Sequence, residues 1–369
     1  MAPGRHPPPS MPCDACGTSE GQLRRCSRCR SVAYCSQACQ RAAWKAHKRV
    51  CGQQVARAAP RRLPFAADVL DAGGETGAVL QAAGLVLRPV AYAAGRGVFA
   101  ERDIPAGTVL LRERPWVHSL REGDAYACDE CLLPAVGSAR VTCAQCPVGY
   151  CSAACRDAAK DVHLGACPAR DGAALAAFWD ACDGRAYPWL ALGAFVRLAR
   201  AVEADGAGGD VVDVWRRMGV GHLGQQHDLS AEARAMSERE VACLRAVGLL
   251  QRTRVADVMS ADSYADLIAL FNRNCFRVDV ETPRPASAVG LYRTASLFNH
   301  ACDKNVDKVF SGLSLALVVN RDVRAGEELT LDYVGEDVRR LPFAQRAAQF
   351  LELRGHACAC AQCRREANE

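Results

Sequence analysis

The chain has no uninterrupted apolar run of about 18 residues, the length a conventional transmembrane helix needs, so a spanning helix is excluded. Its first twelve residues, MAPGRHPPPSMP, carry five prolines and no apolar core. They read as a solvated, polyproline-II-like leader over 1–12 rather than a secretory signal peptide. The depleted apolar content of a disordered protein is also missing. Half of the 369 residues are hydrophobic and 24% are charged, which is ordinary folded usage and enough chain for two or three domains.

Cysteine is abundant, at 21 residues. In a reduced compartment such a count serves metal, and in an oxidising one it serves disulfides. Spacing separates the two. The first cluster reads Cys13-x2-Cys16-x9-Cys26-x2-Cys29-x5-Cys35-x3-Cys39-x7-His47-x3-Cys51. The second reads Cys128-x2-Cys131-x11-Cys143-x2-Cys146-x4-Cys151-x3-Cys155-x7-His163-x3-Cys167. Each holds seven cysteines and one histidine, with the histidine seventh in rank. A disulfide knot does not need a histidine at one fixed rank. Zinc takes four thiolate or imidazole ligands in a tetrahedron, so eight ligands make two closed structural sites. Ser36 and Ser152 stand where N-caps belong, opening helices on which His47 and Cys51, or His163 and Cys167, share a face. Four further cysteines, Cys302, Cys358, Cys360 and Cys363, complete a fifth ligand set if Cys302 joins the closing three. Only Cys182, Cys243 and Cys275 stand outside a cluster.

Metal also revises the charge. The formal net charge is +5, but eighteen ligand thiolates and five zinc dications change it by −8, to near −3. Global basicity is therefore no argument for nucleic acid. A local patch of Arg24, Arg25, Arg28, Arg30, Arg41, Lys45, Lys48 and Arg49 on the first finger keeps DNA binding possible but not favoured over a solvated face.

Residues 52–83 read as a linker with loose helix. Short strands are expected at Val98–Ala100 and Thr108–Arg112, flanking a Pro-Ala-Gly turn. Ala173 to Leu270 is mostly helical, with Asp262–Phe271 a helix that runs into Asn274, Cys275 and Phe276. His222 and His227 receive no role. Leu313–Val319 alternates like a strand, and a Gly326-Glu327-Glu328 turn leads into another that ends at Tyr333.

Both cysteine clusters resemble MYND zinc fingers. That resemblance implies interleaved sites: Cys13, Cys16, Cys35 and Cys39 on one zinc, and Cys26, Cys29, His47 and Cys51 on the other. In the second finger Cys128, Cys131, Cys151 and Cys155 oppose Cys143, Cys146, His163 and Cys167. The order Gly95-Arg96-Gly97, then a finger, then Asn299-His300-Ala301-Cys302, then Gly-Glu-Glu-Leu…Tyr333, then Cys358-x-Cys360-x2-Cys363 resembles the SET and MYND (SMYD) family of protein lysine methyltransferases.

The family implies an α+β fold: a SET-domain β-clip and pseudoknot of short β-sheets with a helical insert, two MYND zinc fingers and a zinc-bound post-SET segment. The divisions expected are a finger at 13–51, a split SET domain at 84–340 carrying the second finger at 128–167 and a helical region at 170–271, and a post-SET segment at 341–369. Residues 84–120 and 272–340 should form one body, with Asn299–Cys302 threaded beneath the loop after Tyr333. The resemblance implies S-adenosyl-L-methionine as methyl donor and five Zn2+. Gly95, Arg96, Gly97, Asn274, Asn299, His300 and His356 would bind the donor. Phe276 would line the lysine channel and Tyr333 would place its hydroxyl beside the transferring methyl. Arg354 stands where the family has a channel tyrosine.

The implied function is methylation of a lysine on a histone tail or another protein, with fingers that grip proline-containing peptides, in transcriptional regulation in the nucleus or cytoplasm. The alternative is an adaptor of the same fold that recruits transcriptional repressors without turnover.

Overall fold

The computed structural model of the chain describes residues 13, 15–16, 18, 22–27, 32–48, 60–65, 74–91, 95–120, 127–137, 140–205, 210–280, 286–354 and 356–367. The leader expected over 1–12 lies outside them. The chain divides into two compact units, Met1–Ala59 and Pro60–Glu369.

In the first unit, two-residue strands Arg24–Arg25 and Ala33–Tyr34 pair antiparallel and a helix follows over Gln37–His47. Ser36 starts that helix as its sequence position suggests: its Oγ accepts the Cys39 N–H at 3.1 Å. The apolar core among the described residues is Cys13, Cys26 and Tyr34, too small to hold a fold without a cross-link.

Besides the two-stranded pair Val141–Thr142 with Gly149–Tyr150 in the second finger, the second unit builds three short sheets, and each of these takes strands from both distant segments. Val117–Leu120, Ala286–Leu291 and Cys275–Val280 make one sheet. Val306–Ser311, Ser314–Val319 and Val109–Glu113 make another. The third runs Asn299–His300, Glu328–Leu331, Arg96–Ala100, Leu85–Pro89. Within it Asn299–His300 lies parallel to Thr330–Leu331 while the other pairs are antiparallel. A two-residue parallel pair contributes little by itself. Its importance is positional, because it sets the Asn-His dipeptide beside the strand that leads to Tyr333.

Between these segments lie the second finger and a helical block. Ser152 caps the finger helix Ala153–His163, accepting the Cys155 N–H at 3.2 Å. Helix Ala186–Ala204 buries ten side chains, Leu190, Phe195, Leu198 and Val202 among them, and forms the centre of the block. Helix Ala261–Asn274, capped by Ser260, turns Tyr264, Leu267 and Phe271 inward at helical spacing. It passes without a loop into Cys275–Val280.

The stretch read as linker carries two packed pieces. At 60–65, Leu63 is fully buried, Arg62 donates to both Asp266 oxygens (2.7 and 2.8 Å), and Trp215 donates to the Pro64 carbonyl at 2.9 Å. Gly74–Ala82 is a helix. Cys182 belongs to the core, and Cys243 and Cys275 pack against it.

Candidate functional site

Four groups of four ligand atoms lie within 4.8 Å of one another: Cys13, Cys16, Cys35, Cys39; Cys128, Cys131, Cys151, Cys155; Cys143, Cys146, His163, Cys167; and Cys302, Cys358, Cys360, Cys363. The interleaving expected of the fingers is present in the second finger, the first shows one of its two sets among the described residues, and Cys302 joins the three cysteines 56 or more residues downstream. Sulfur–sulfur separations of 3.5 and 3.6 Å rule out disulfides, whose S–S bond is about 2.05 Å, and approach the roughly 3.8 Å of thiolates on one tetrahedral zinc. Of the fifth set, His47 Nε2 stands 3.3 Å from Cys26 Sγ, and Cys29 and Cys51 lie outside the described residues. Four sulfur or imidazole ligands leave no open coordination position, so these groups fit structural rather than catalytic zinc.

The C-terminal group fastens the chain end onto the Asn299–Cys302 segment. Helix Phe343–Arg354 and the turn at 356–359 thereby become the wall of a cavity of about 580 Å³. Arg96, Asn274, Asn299, His300, Tyr333 and His356, all singled out in the sequence, line it, with Phe350 and Arg354 from the closing helix.

Asn299 is buried and both its amide protons are committed. Nδ2 donates to the Arg96 carbonyl at 2.7 Å and to Glu328 Oε1 at 2.8 Å. This network orients the amide so that Oδ1 is the acceptor left for a ligand. Gly97 is what permits the arrangement: a Cβ there would meet Glu328 Oε1 at 2.3 Å and Asn299 Nδ2 at 3.1 Å. Gly95 takes the left-handed region at φ +77°, which turns the chain into the strand carrying Arg96. Arg96 is buried, its Nη2 donates to the His222 carbonyl at 2.7 Å, and burial lowers its pKa.

His300 has both ring nitrogens engaged. Nδ1 accepts the Tyr333 N–H at 3.1 Å, and Nε2 stands 3.4 Å from Cys302 Sγ. These partners set one neutral tautomer, and burial pushes the pKa down to about 4. His300 thus links the zinc ligand Cys302 to Tyr333, and what it presents to the cavity is a ring face, stacked on Phe350 at 4.6 Å. His356 is an exposed ring stacked on the same Phe350 at 5.5 Å. Tyr333 donates its hydroxyl to the Phe298 carbonyl at 2.5 Å, and burial raises its pKa to about 12, so it is a phenol at neutral pH.

Asn274 spends its amide protons on the Leu223 and Leu270 carbonyls (3.0 and 2.8 Å), tying the 221–225 loop to the helix end. Phe276 does not line this cavity. It sits edge-on to Tyr292 at 5.5 Å, with Lys308 Nζ 5.8 Å from its ring centroid. Arg354 is held by the Tyr333 and Arg273 carbonyls (3.0 and 3.3 Å), its guanidinium 4.6 Å over the Tyr333 ring.

Sequence reading missed Phe350, Glu328, Lys308 and the His222 carbonyl. Phe350 had a signal: it follows Phe343 by seven residues and so shares its helix face. The carbonyl had none, because every residue carries one.

A zinc-clamped domain of small sheets, with a polar cavity where chain segments cross, is the class of protein these features define. The sequence profile of the SET domain matches residues 95–334, 240 of the 369 residues, and the chain belongs to the SET-domain family; the MYND finger profile matches 13–51. It is 27% identical over 278 residues to histone-lysine N-methyltransferase SMYD3 of Homo sapiens, covering 73% of this chain and 59% of that protein. It is 24% identical to SET domain and MYND-type zinc finger protein 6 of Schizosaccharomyces pombe, covering 73% and 50%. Histone-lysine N-methyltransferase ATXR4 of Arabidopsis thaliana is 25% identical, covering 73% and 83%. The chain therefore spans half to six tenths of the first two relatives' length. Among the described residues no helix is long and apolar enough to cross a membrane.

Proposed function

We propose that the chain is an S-adenosyl-L-methionine-dependent protein-lysine N-methyltransferase. The observation that carries this is the gathering of Arg96, Asn299, His300 and Tyr333, from segments about 200 residues apart, around one cavity of a SET domain. When bound, S-adenosyl-L-methionine supplies a methyl group on a good leaving group. The residues do the rest. Asn299 Oδ1 and the Arg96 guanidinium suit the ammonium and carboxylate of an amino-acid portion. The Phe350 and His356 rings offer apolar faces for a base. Tyr333 and the carbonyls around it form an electronegative rim for a methyl carrying partial positive charge, while Phe276 stands on the acceptor side. Such catalysis is positioning and electrostatic preorganisation, with zinc confined to structure.

The acceptor is a lysine on a histone tail or another protein. The fingers at 13–51 and 128–167 bind proline-containing peptides, and the setting is transcriptional regulation in the nucleus or cytoplasm. The cations over Tyr333 and Phe276 favour a second reading, a SET and MYND adaptor that turns over weakly or not at all. Two measurements separate them. Calorimetry should show donor binding, and labelled methyl transfer to purified core histones or a protein lysate should occur and fall to background in Tyr333→Phe. Donor binding without transfer under any condition leaves the adaptor. No donor binding at millimolar concentration removes the enzyme.

A further inference from the structure

Lys308 occupies a position that its strand reserves for apolar side chains. In Val306–Ser311, the alternation places Val306, Lys308 and Phe310 on one face, with Val306 fully buried and Phe310 packed against the core. Val309, on the other face, is 51% exposed. The ammonium has reached a defined place. Nζ donates to the Asp332 carbonyl, one residue before Tyr333, at 2.6 Å, and lies 5.8 Å from the Phe276 ring centroid. Burying an ammonium is costly, and a carbonyl plus an aromatic face is a sparse set of partners for three N–H donors. Burial accordingly lowers its pKa, assisted by the positive charges of Arg354 and Lys304 and opposed by Asp332.

A carbonyl and an aromatic ring are also what suits an acceptor lysine, and this carbonyl belongs to the residue before Tyr333. Both aromatic residues assigned to the transfer, Phe276 and Tyr333, already carry a cation of the same chain. We infer that Lys308 is a built-in pseudosubstrate: its side chain holds the acceptor position against the Asp332 carbonyl and the Phe276 ring, and a protein lysine enters only by displacing it. This inference rests on the methyltransferase reading above and adds to it the residue that governs acceptor entry.

The test uses the full-length, zinc-loaded chain as wild type, Lys308→Met and Lys308→Arg. Methionine keeps the length and loses the charge, while arginine keeps the charge. Circular dichroism confirms folding of each. S-adenosyl-L-methionine binding is measured by calorimetry, and transfer to purified core histones gives KM and kcat separately. Donor affinity should agree among the three within about twofold, while Lys308→Met lowers the histone KM by about fivefold or more and Lys308→Arg stays near wild type. An unchanged or higher KM in Lys308→Met, with donor affinity intact, overturns the pseudosubstrate alone. Donor binding with no transfer by Lys308→Met overturns it as well, since opening the channel should expose activity. Failure of all three proteins to bind the donor overturns the methyltransferase reading and this inference with it.

Discussion

Tyr333 has two unlike sides. Toward Asn299 and His300 the groups are neutral and held in place: an amide with both protons spent, an imidazole with both nitrogens engaged, a stacked phenylalanine. Against these stand Arg354, which lines the same cavity, and Lys308, which does not, two cations held by backbone carbonyls over aromatic rings. The first side is prearranged to receive a ligand, because its own polar atoms need no rearrangement before binding. The second is already filled by the chain. Preorganisation and prior occupancy look alike as packing but act oppositely on a ligand: one lowers the cost of binding and the other adds a displacement step.

The harshest way to break this comparison is to remove the clamp that both sides share. Cys360→Ser deletes one ligand of the group that fastens the wall bearing Phe350, Arg354 and His356 to the Asn-His segment. Structural zinc contributes binding free energy directly to folding. Elemental analysis should show one zinc fewer than wild type, and calorimetry should show no donor binding. Donor binding retained at wild-type affinity would mean the wall stands without metal.

Asn299→Ala comes next and should disturb the donor side alone. It strips the Arg96 carbonyl and Glu328 of their shared donor and removes the acceptor Oδ1. Losing the Oδ1 acceptor leaves a buried ligand donor unpaired, which costs about 1–3 kcal/mol, or roughly 5–150-fold in donor affinity. Equal donor affinity in the variant would show that Asn299 serves the sheet and not the ligand.

Arg354→Tyr tests the other side with a smaller effect. It removes a cation from above Tyr333 and supplies an aromatic face, which favours an approaching ammonium by about 0.5–2 kcal/mol. Methyl transfer should rise about 2–30-fold with donor affinity little changed. A fall in transfer would assign Arg354 to holding the Tyr333 carbonyl rather than to obstructing the channel.

The two sides were unequally legible in the sequence. Zinc ligation depends on residue type and spacing, so the ligand clusters and the Cys302 group could be named in advance, while the interleaving of the finger sites came from the resemblance to MYND fingers. The short strings around Arg96, Asn299 and Tyr333 were legible through the resemblance to the SET and MYND family, because a Gly-x-Gly or a strand tyrosine alone is a weak signal. Lys308 was not found, although the strand alternation that turns it inward could have flagged it. The packed stretch at 60–65 was read as linker because its anchors, Asp266 and Trp215, lie some 150 to 200 residues away. His300 reaches the cavity, but its orientation was unreadable. Only the fold shows that both nitrogens face Tyr333 and Cys302, leaving a ring face for the cavity.

The smallest effect expected concerns the carboxyl beneath Asn299. Burial raises the pKa of Glu328 from 4.5 to about 7, with Arg364 opposing the shift. The folded state therefore keeps a proton that the unfolded chain releases near 4.5, and the sign follows from linkage. Stability from this group is greatest below 4.5, declines as pH rises, and reaches its full penalty above about 7. Glu328→Gln keeps the oxygen that accepts from Asn299 Nδ2 and removes the titration. The comparison belongs between about pH 6 and 7.5, where zinc thiolates are not yet being protonated. Denaturant midpoints for the wild type should fall across that window relative to those of Glu328→Gln. The other titrating groups, including His300 with its pKa near 4, are common to both proteins and cancel in the difference. Parallel curves would mean that Glu328 does not change its charge differently from the unfolded chain across this window.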